Sequence, residues 1–335
     1  MNEAKHLLPQ VDRYFKANLH THSTISDGKL TREEVKEAYK ARGYQILCLT
    51  DHNTIANHSD MNEPDFLMLT GVEINVNAPD KCVVGGKTYH LNLIAKDPEN
   101  LWSPLKVFRA FPEAEKYEDK MQCEQMERTY DPECVNAIIA KANEKGFLVM
   151  YNHPTWSCQN YTDYAPLKGL WGMELRNSEC CNLGHNENNF RVYKDLLMLG
   201  KKIFPLGTDD MHFPKSLGQS WINVGAKELS YASVIEALEK GDFYMSCGPE
   251  ITSLTVEGNV LKVTCSGAQR ICMETYGRIA TCAIATDEPL LEAELSLEKF
   301  FNKTNGDPNA FIFVTVTAPD GSYATTRAYY MNELK

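Results

Sequence analysis

Between residues 17 and 248 the chain alternates short apolar runs with helical patterns whose ends are legible. The runs are QILCLT (45–50), FLMLTGVEI (66–74), YHLNLIA (89–95), FLVMYN (147–152), LWGMEL (170–175) and KIFPLG (202–207). Thr31 and Glu34 make a capping box ahead of EEVKEAYKAR, which Gly43 closes. Asp131 caps a helix that has Pro132 at its first position and Gly146 at its end; another pattern stops at Gly200. Strands alternating with helices imply parallel strands joined by crossovers, either an open sheet or a closed barrel. In both, functional side chains gather at the carboxyl ends of the strands.

Two stretches break this rhythm. Residues 96–130 are long, charged and partly helical in pattern, and a connection of that length is usually functional or disordered. After Gly248 the chain becomes β-rich (ITSLTVEGNVLKVTCSG, AFIFVTVTAPDGSYATTRAYY), with turn signals at Glu257-Gly258-Asn259 and Asp320-Gly321. The expected organisation is an α/β domain over 1–248 and a small all-β, sandwich-like domain over 249–335. The link KGDFYMSCGPEI carries Phe243, Tyr244 and Met245, too apolar for a free tether, so the second domain should dock as a brace or mediate a homodimer.

Composition narrows the function. Of 335 residues, 45 are acidic and 34 basic, a net charge of −11. A surface that tracks long nucleic acid needs a basic field, so the balance argues against that partner. No apolar run approaches the ~20 residues of a membrane span, and no secretory signal pattern opens the chain. The eleven cysteines include an adjacent pair, Cys180 and Cys181, and no C-x-x-C, which suits free thiols in the cytoplasm.

The histidines carry the chemistry. There are nine, and six belong to conspicuous clusters, most at or just after an apolar run: His20 and His22 in NLHTH, His52 after QILCLTD, His90 in YHLNLIA, His153 after FLVMYN, and His212 beyond PLGTDDM. Asp27, Glu73 and Asp210 occupy matching places. Alternate residues of a strand share a face, so His20 and His22 can converge on one point. Taken singly, H-x-H can be a surface accident, Asp51-His52-Asn53 a turn, and Asp209-Asp210 a solvated loop or cap. Their recurrence at successive strand ends points to metal, because so many buried polar groups need partners. His6, His58 and His185 lack this context and read as surface or structural residues.

In order, NLHTHSTISDG, LTDHNT, GVEIN, YNHP and GTDDMH resemble the motifs of the PHP (polymerase and histidinol phosphatase) family over about residues 17–225. The resemblance implies a distorted seven-stranded (β/α) barrel and phosphoester hydrolysis with two or three divalent metals. It assigns His20, His22 and Asp210 to one metal, with Glu73 bridging to a second held also by His90 and His153. Asp27, His52 and His212 would hold a third. Two departures from the family pattern stand out: Asp27 where some members have histidine, and the extra acid Asp209 beside Asp210.

A nitrogen and oxygen ligand set without thiolate suits Zn, Mn or Fe. A hydroxide bridging two metals, held by Glu73, would attack phosphorus, and Arg176 and Lys215 are candidate phosphate contacts. The leading expectation is a metal-dependent phosphoesterase, a phosphomonoesterase acting on a small phosphorylated compound of the nucleotide or sugar phosphate class. A nuclease trimming short oligonucleotides and a catalytically silent, metal-bound scaffold are the alternatives. The 96–130 segment is expected to help select the substrate.

Overall fold

The computed structural model describes residues 4–79, 86–108 and 110–335. All six apolar runs are strands. Seven strands order the first part of the chain: β1 (Phe15–Asn18), β2 (Ile46–Leu49), β3 (Leu67–Asn77), β4 (Thr88–Ala95), β5 (Phe147–Tyr151), β6 (Gly172–Asn177) and β7 (Phe204–Thr208). They are neighbours in that sequence. Pairing is parallel except on both sides of β4, which runs against β3 and β5. The reversal follows from the chain: too few residues separate β3 from β4 for the crossover that parallel pairing needs.

Around β1–β7 the ladder does not close as a continuous barrel would. The two ends meet at one parallel bridge, Thr21 to Met211, supported by Asp210 N–H to His20 O (2.8 Å) and His22 N–H to Met211 O (3.1 Å). Below that bridge β1 pairs instead with β8 (Trp221–Val224), which pairs with β9 (Phe243–Ser246).

The helices have the ends the sequence implies. In α1 (Arg32–Lys40) the Thr31 capping box is formed, and α2 (Pro132–Glu144) has the Asp131 carboxylate accepting from the N–H groups of Glu133 and Cys134. α3 (Phe190–Met198) is followed by Gly200, and α4 (Tyr231–Lys240) ends on Gly241 in the left-handed region. No helix among the described residues is long and apolar enough to cross a membrane.

The C-terminal part is β-rich but not purely β. A four-stranded sheet of Lys5–His6, β10 (Ile251–Glu257), β11 (Val260–Ala268) and β14 (Leu290–Ser296) packs on a layer of β12 (Arg270–Thr275), β13 (Ala280–Ile284), β15 (Phe311–Thr317) and β16 (Tyr323–Thr326). Helices at Glu298–Thr304 and Met331–Leu334 accompany the strands, with Phe300 of the first fully buried. The expected boundary at 248/249 is crossed in two ways. β9 hydrogen-bonds to β16 (Tyr244–Thr326, Met245–Thr325, Ser246–Ala324), so the large sheet runs through both parts. Leu7 and Leu8, from the start of the chain, lie in the C-terminal apolar core.

The thiol expectation also needs correction. Cys272 and Cys282 face each other across β12 and β13 and form a disulfide, while Cys48, Cys180 and Cys265 are buried and free. Cys82 lies outside the described residues.

Candidate metal centre

His20 and His22 leave β1 in extended backbone, fully buried, with Nε2 atoms 3.2 Å apart. The chain then turns through 23–28 to present Asp27. Asp51 pins that turn, accepting from Ser23 N–H (2.8 Å), Ser23 Oγ (2.8 Å), Ser26 N–H (3.1 Å) and Ser26 Oγ (2.7 Å). Gly28 is required at its end, since a Cβ there would lie 2.5 Å from the carbonyl oxygen of His22.

Glu73, on β3, is the hub. Its Oε1 lies 3.0 Å from His90 Nδ1, 3.3 Å from His153 Nε2 and 3.3 Å from His20 Nε2; its Oε2 lies 3.1 Å from His52 Nδ1 and 3.4 Å from His22 Nε2. Asn152 Nδ2 donates to Oε1 at 2.7 Å. Asp210 Oδ1 approaches His20 Nε2 (3.1 Å) and His22 Nε2 (3.0 Å). Asp27 lies 3.5 Å from His52 Nε2 and 3.4 Å from His212 Nε2. All nine sequence-predicted ligand residues therefore come together. His153 (φ 21°) and Asp210 (φ 50°) hold backbone conformations that non-glycine residues rarely adopt, a strain that clusters at functional sites.

The donor set fits metal. Asp210 Oδ1 is buried without a hydrogen-bond partner although two imidazole nitrogens lie about it, so these atoms converge on a point and do not pair with one another. Nitrogens bonded to one Zn²⁺ at about 2.0–2.1 Å would stand ~3.3 Å apart, close to the His20–His22 spacing. Four overlapping groups have ligand atoms within 4.8 Å of one another: His22, Asp27, His52 and His212; His20, His22 and Glu73; His20, His153 and Asp210; His52, Glu73 and His90.

In the metal-free chain protons do part of an ion's work. Burial alone would lower the pKa of His22, but Asp210 and Glu73 outweigh it and push the pKa up to about 10. For His153, Glu73, Glu174 and Asp210 likewise overcome burial and push it up to about 9. Burial would raise the Glu73 carboxyl, yet His90, His20 and His52 hold it well below the usual range. His52 goes the other way: burial dominates and brings it down to about 3.

Some expectations change. Arg176 Nη1 donates to Asn188 (3.1 Å), and the side chain lines neither cavity beside the cluster. Lys215 sits on the turn after His212, with Nζ 5.7 Å from the Phe213 ring centroid, and also lines neither. Asp209 does not join the cluster. It is buried, accepts from the N–H groups of Gly218, Gln219 and Ser220, and is pushed up to about 6 by burial. His58, read as a surface or structural residue, is 2% exposed and so structural.

One residue of consequence was missed. Glu174, on β6, is fully buried and accepts from His20 Nδ1 (2.6 Å), His153 N–H (2.7 Å), Thr208 Oγ1 (2.6 Å) and Asn177 Nδ2 (3.0 Å). Asn177 Nδ2 also donates to Asp210 Oδ2 at 3.0 Å. Such outer partners fix which imidazole nitrogen faces an ion. The signal was present, an acid inside the apolar run LWGMEL.

The cluster opens on two continuous cavities. One, about 250 Å³, is lined by Asp27, Glu73, His153, Asp210 and the apolar edges of Trp156 and Phe213. The other, about 560 Å³, shares Asp27, His52, His90 and Trp156 and extends outward. The 96–130 segment reaches this wall: Val107 and Ala114 pack on Ile25, and Phe108 and Phe111 line the larger cavity. Residue 109 lies outside the described residues.

Residues 18–169 match the PHP domain family. The matched span takes in seven of the nine clustered residues, from His20 to His153. Among curated proteins, a 5'-3' exoribonuclease of Haemophilus influenzae is 41% identical over 66 residues, 18% of this chain and 24% of that protein, so the match spans about a quarter of it. A solved two-domain protein from Bacteroides vulgatus, containing a predicted PHP-like metal-dependent phosphoesterase, is 16% identical, with 98% of this chain and 99% of that chain covered and a TM-score of 0.42. A lesion-specific endonuclease from Pyrococcus furiosus is 14% identical, covering 68% of this chain and 56% of that chain, with a TM-score of 0.39. Beyond residue 169, Asp210 and His212 complete the cluster from the loop after β7.

Proposed function

We propose that this chain hydrolyses phosphate esters of small molecules with two or three divalent ions, Zn, Mn or Fe, held by His20, His22, Asp27, His52, Glu73, His90, His153, Asp210 and His212. The observation that carries the reading is Glu73, one carboxylate in reach of five imidazoles at the floor of an open cavity. Strands β1–β7 then act as the distorted barrel of a PHP domain, with the bridge at Thr21–Met211 as its seam.

When bound, the ions supply positive charge for a phosphate dianion, polarise its oxygens and make water acidic enough to attack near neutral pH. The chain's own residues do the rest. Asn152 holds Glu73 in register, and Glu174 and Asn177 orient His20, His153 and Asp210. Trp156 and Phe213 give the cavity apolar lining. The convergence of these nine side chains on one buried cluster speaks against a catalytically silent scaffold.

A nuclease acting on short oligonucleotides is the second reading, favoured by the local 41% identity to the exoribonuclease. Metal analysis together with a panel of phosphomonoesters, phosphodiesters and short oligonucleotides tests both. The first reading expects two to three metal equivalents and turnover of small monoesters. Less than one equivalent after reconstitution would refute it, and turnover of diesters alone would favour the second.

A further inference from the structure

The larger cavity adjoins the cluster, and its lining is mixed. Beside Asp27, His52 and His90 it offers three amides, Asn53, Asn75 and Asn77, and three aromatic rings, Phe108, Phe111 and Trp156. Asn53 is 2% exposed and in the left-handed region (φ 52°), and its Nδ2 donates to Asn75 Oδ1 at 3.0 Å. Its own Oδ1 is buried with no hydrogen-bond partner among the described residues. Leaving such an acceptor dry costs free energy, and Asn53 lines the cavity, where its amide belongs to the polar part of the wall. Phe108 and Phe111 stand 5.5 Å apart between ring centroids, and Phe108 is 48% exposed.

We infer that the amide- and aromatic-lined part of this cavity is a leaving-group subsite for a nucleobase, so that the substrate is a phosphorylated nucleoside and not a sugar phosphate. The inference rests on the phosphoesterase reading for the position of the phosphate. A base has an apolar face for the rings and a polar edge for the amides. A polyol of similar size would set hydroxyls against Phe108, Phe111 and Trp156 without partners. Among the described residues the one lysine lining the cavity, Lys87, is occupied by Asp163 at 2.7 Å, which leaves the phosphate to the cluster. At about 560 Å³ the space exceeds a single ring, so a whole nucleoside fits between ions and aromatics. The two phenylalanines come from the 96–130 segment, which gives that segment its role in substrate choice.

The test uses the full-length, Mn²⁺-loaded protein with adenosine monophosphate and ribose 5-phosphate, and, separately, unphosphorylated adenosine binding by equilibrium dialysis. Base–aromatic stacking is sequence-tolerant and large. Adenosine monophosphate should therefore exceed ribose 5-phosphate in kcat/KM by about ten- to a hundredfold, chiefly through KM. In the Phe108→Ala, Phe111→Ala double variant that ratio should fall toward one, and adenosine binding should weaken in parallel. Equal kcat/KM for the two esters, or no adenosine binding by the wild-type protein, overturns the subsite. Adenosine binding that depends on the two phenylalanines in a protein that cleaves neither ester keeps the subsite and overturns the small-monoester reading.

Discussion

Replacing Glu174 by Gln removes one charge from a place where every contact is a donor. Oε1 accepts from His20 Nδ1 and Thr208 Oγ1; Oε2 accepts from the His153 backbone and Asn177 Nδ2. A glutamine keeps one oxygen and turns an NH₂ group toward the other two donors. If the NH₂ faces His20, the imidazole must accept at Nδ1 and carry its proton on Nε2, the atom 3.1 Å from Asp210. That nitrogen then has no lone pair for an ion. If it faces His153, it meets a backbone N–H that cannot change, and the strained turn at φ 21° loses its anchor. Loss of an outer partner costs about 10–100-fold in metal affinity, or about 1.4–2.7 kcal/mol. Competition titrations of Mn²⁺ against a chelating dye read this directly, with circular dichroism of the apo variant as the check on folding. Affinity should fall for the groups that contain His20, while His22, Asp27, His52 and His212 keep theirs. A folded E174Q protein that binds every equivalent within threefold of wild type would show that Glu174 does not orient the ligands.

Three further outcomes follow from the same geometry. Glu73→Gln should lower phosphatase activity by at least about a hundredfold through loss of the shared ligand, against no more than twofold for His6→Asn on the exposed N-terminal strand; equal rates in a steady-state assay would unseat Glu73 as the hub. The raised pKa values of His22, about 10, and His153, about 9, stabilise the metal-free fold fully below pH 6.5, and that stability is lost as pH rises toward 9–10. The apo melting temperature should therefore drop between pH 7 and 10, and metal affinity, which needs those protons gone, should rise over the same range; a flat apo profile in scanning calorimetry would refute the assignment. A chain ending at Gly248 strips Phe311, Phe313 and Tyr323 from the main core and the β16 partner from β9. At about 1.5–3 kcal/mol per ring, against a whole-domain stability of about 5–15 kcal/mol, it should be insoluble or unfolded, and a cooperative melt of the truncated protein would contradict this.

What was legible in the sequence followed rules of short range. Caps at Thr31 and Asp131 and the period of two at His20 and His22 need only a few neighbouring residues, and each stands in the structure where the pattern put it. What the pattern left unexplained, or what escaped it, needed the third dimension. His90 begins its run while most ligands end theirs, which looks anomalous until β4 is seen to run backward. Its first residues then lie beside the far end of β3, with His90 paired to Asn75. Arg176 shares β6 with Glu174, but it pairs with Asn188 and faces neither cavity, so proximity to a strand end did not make it a phosphate contact.

The domain boundary escaped for a related reason. The chain changes composition after Gly248, and composition is a local quantity, whereas hydrogen-bonded partnership is not. β9 belongs by sequence to the first part and by pairing to both. Its Phe243 packs in the main core and Tyr244 in the C-terminal one, alternate faces of a single strand serving two cores. That division of faces explains why the link reads as too apolar for a tether. It also sets what the C-terminal part can contribute. Among the described residues it lines neither cavity beside the cluster. It reaches the site's supports instead, since Tyr323 donates to Asn188, the partner of Arg176, and Asn189 beside it holds the carbonyl of Glu174. A change in the C-terminal sheet should therefore be felt at the cluster through β6, as altered metal affinity before altered substrate choice, and Tyr323→Phe, which deletes one hydroxyl, is the smallest perturbation that separates the two.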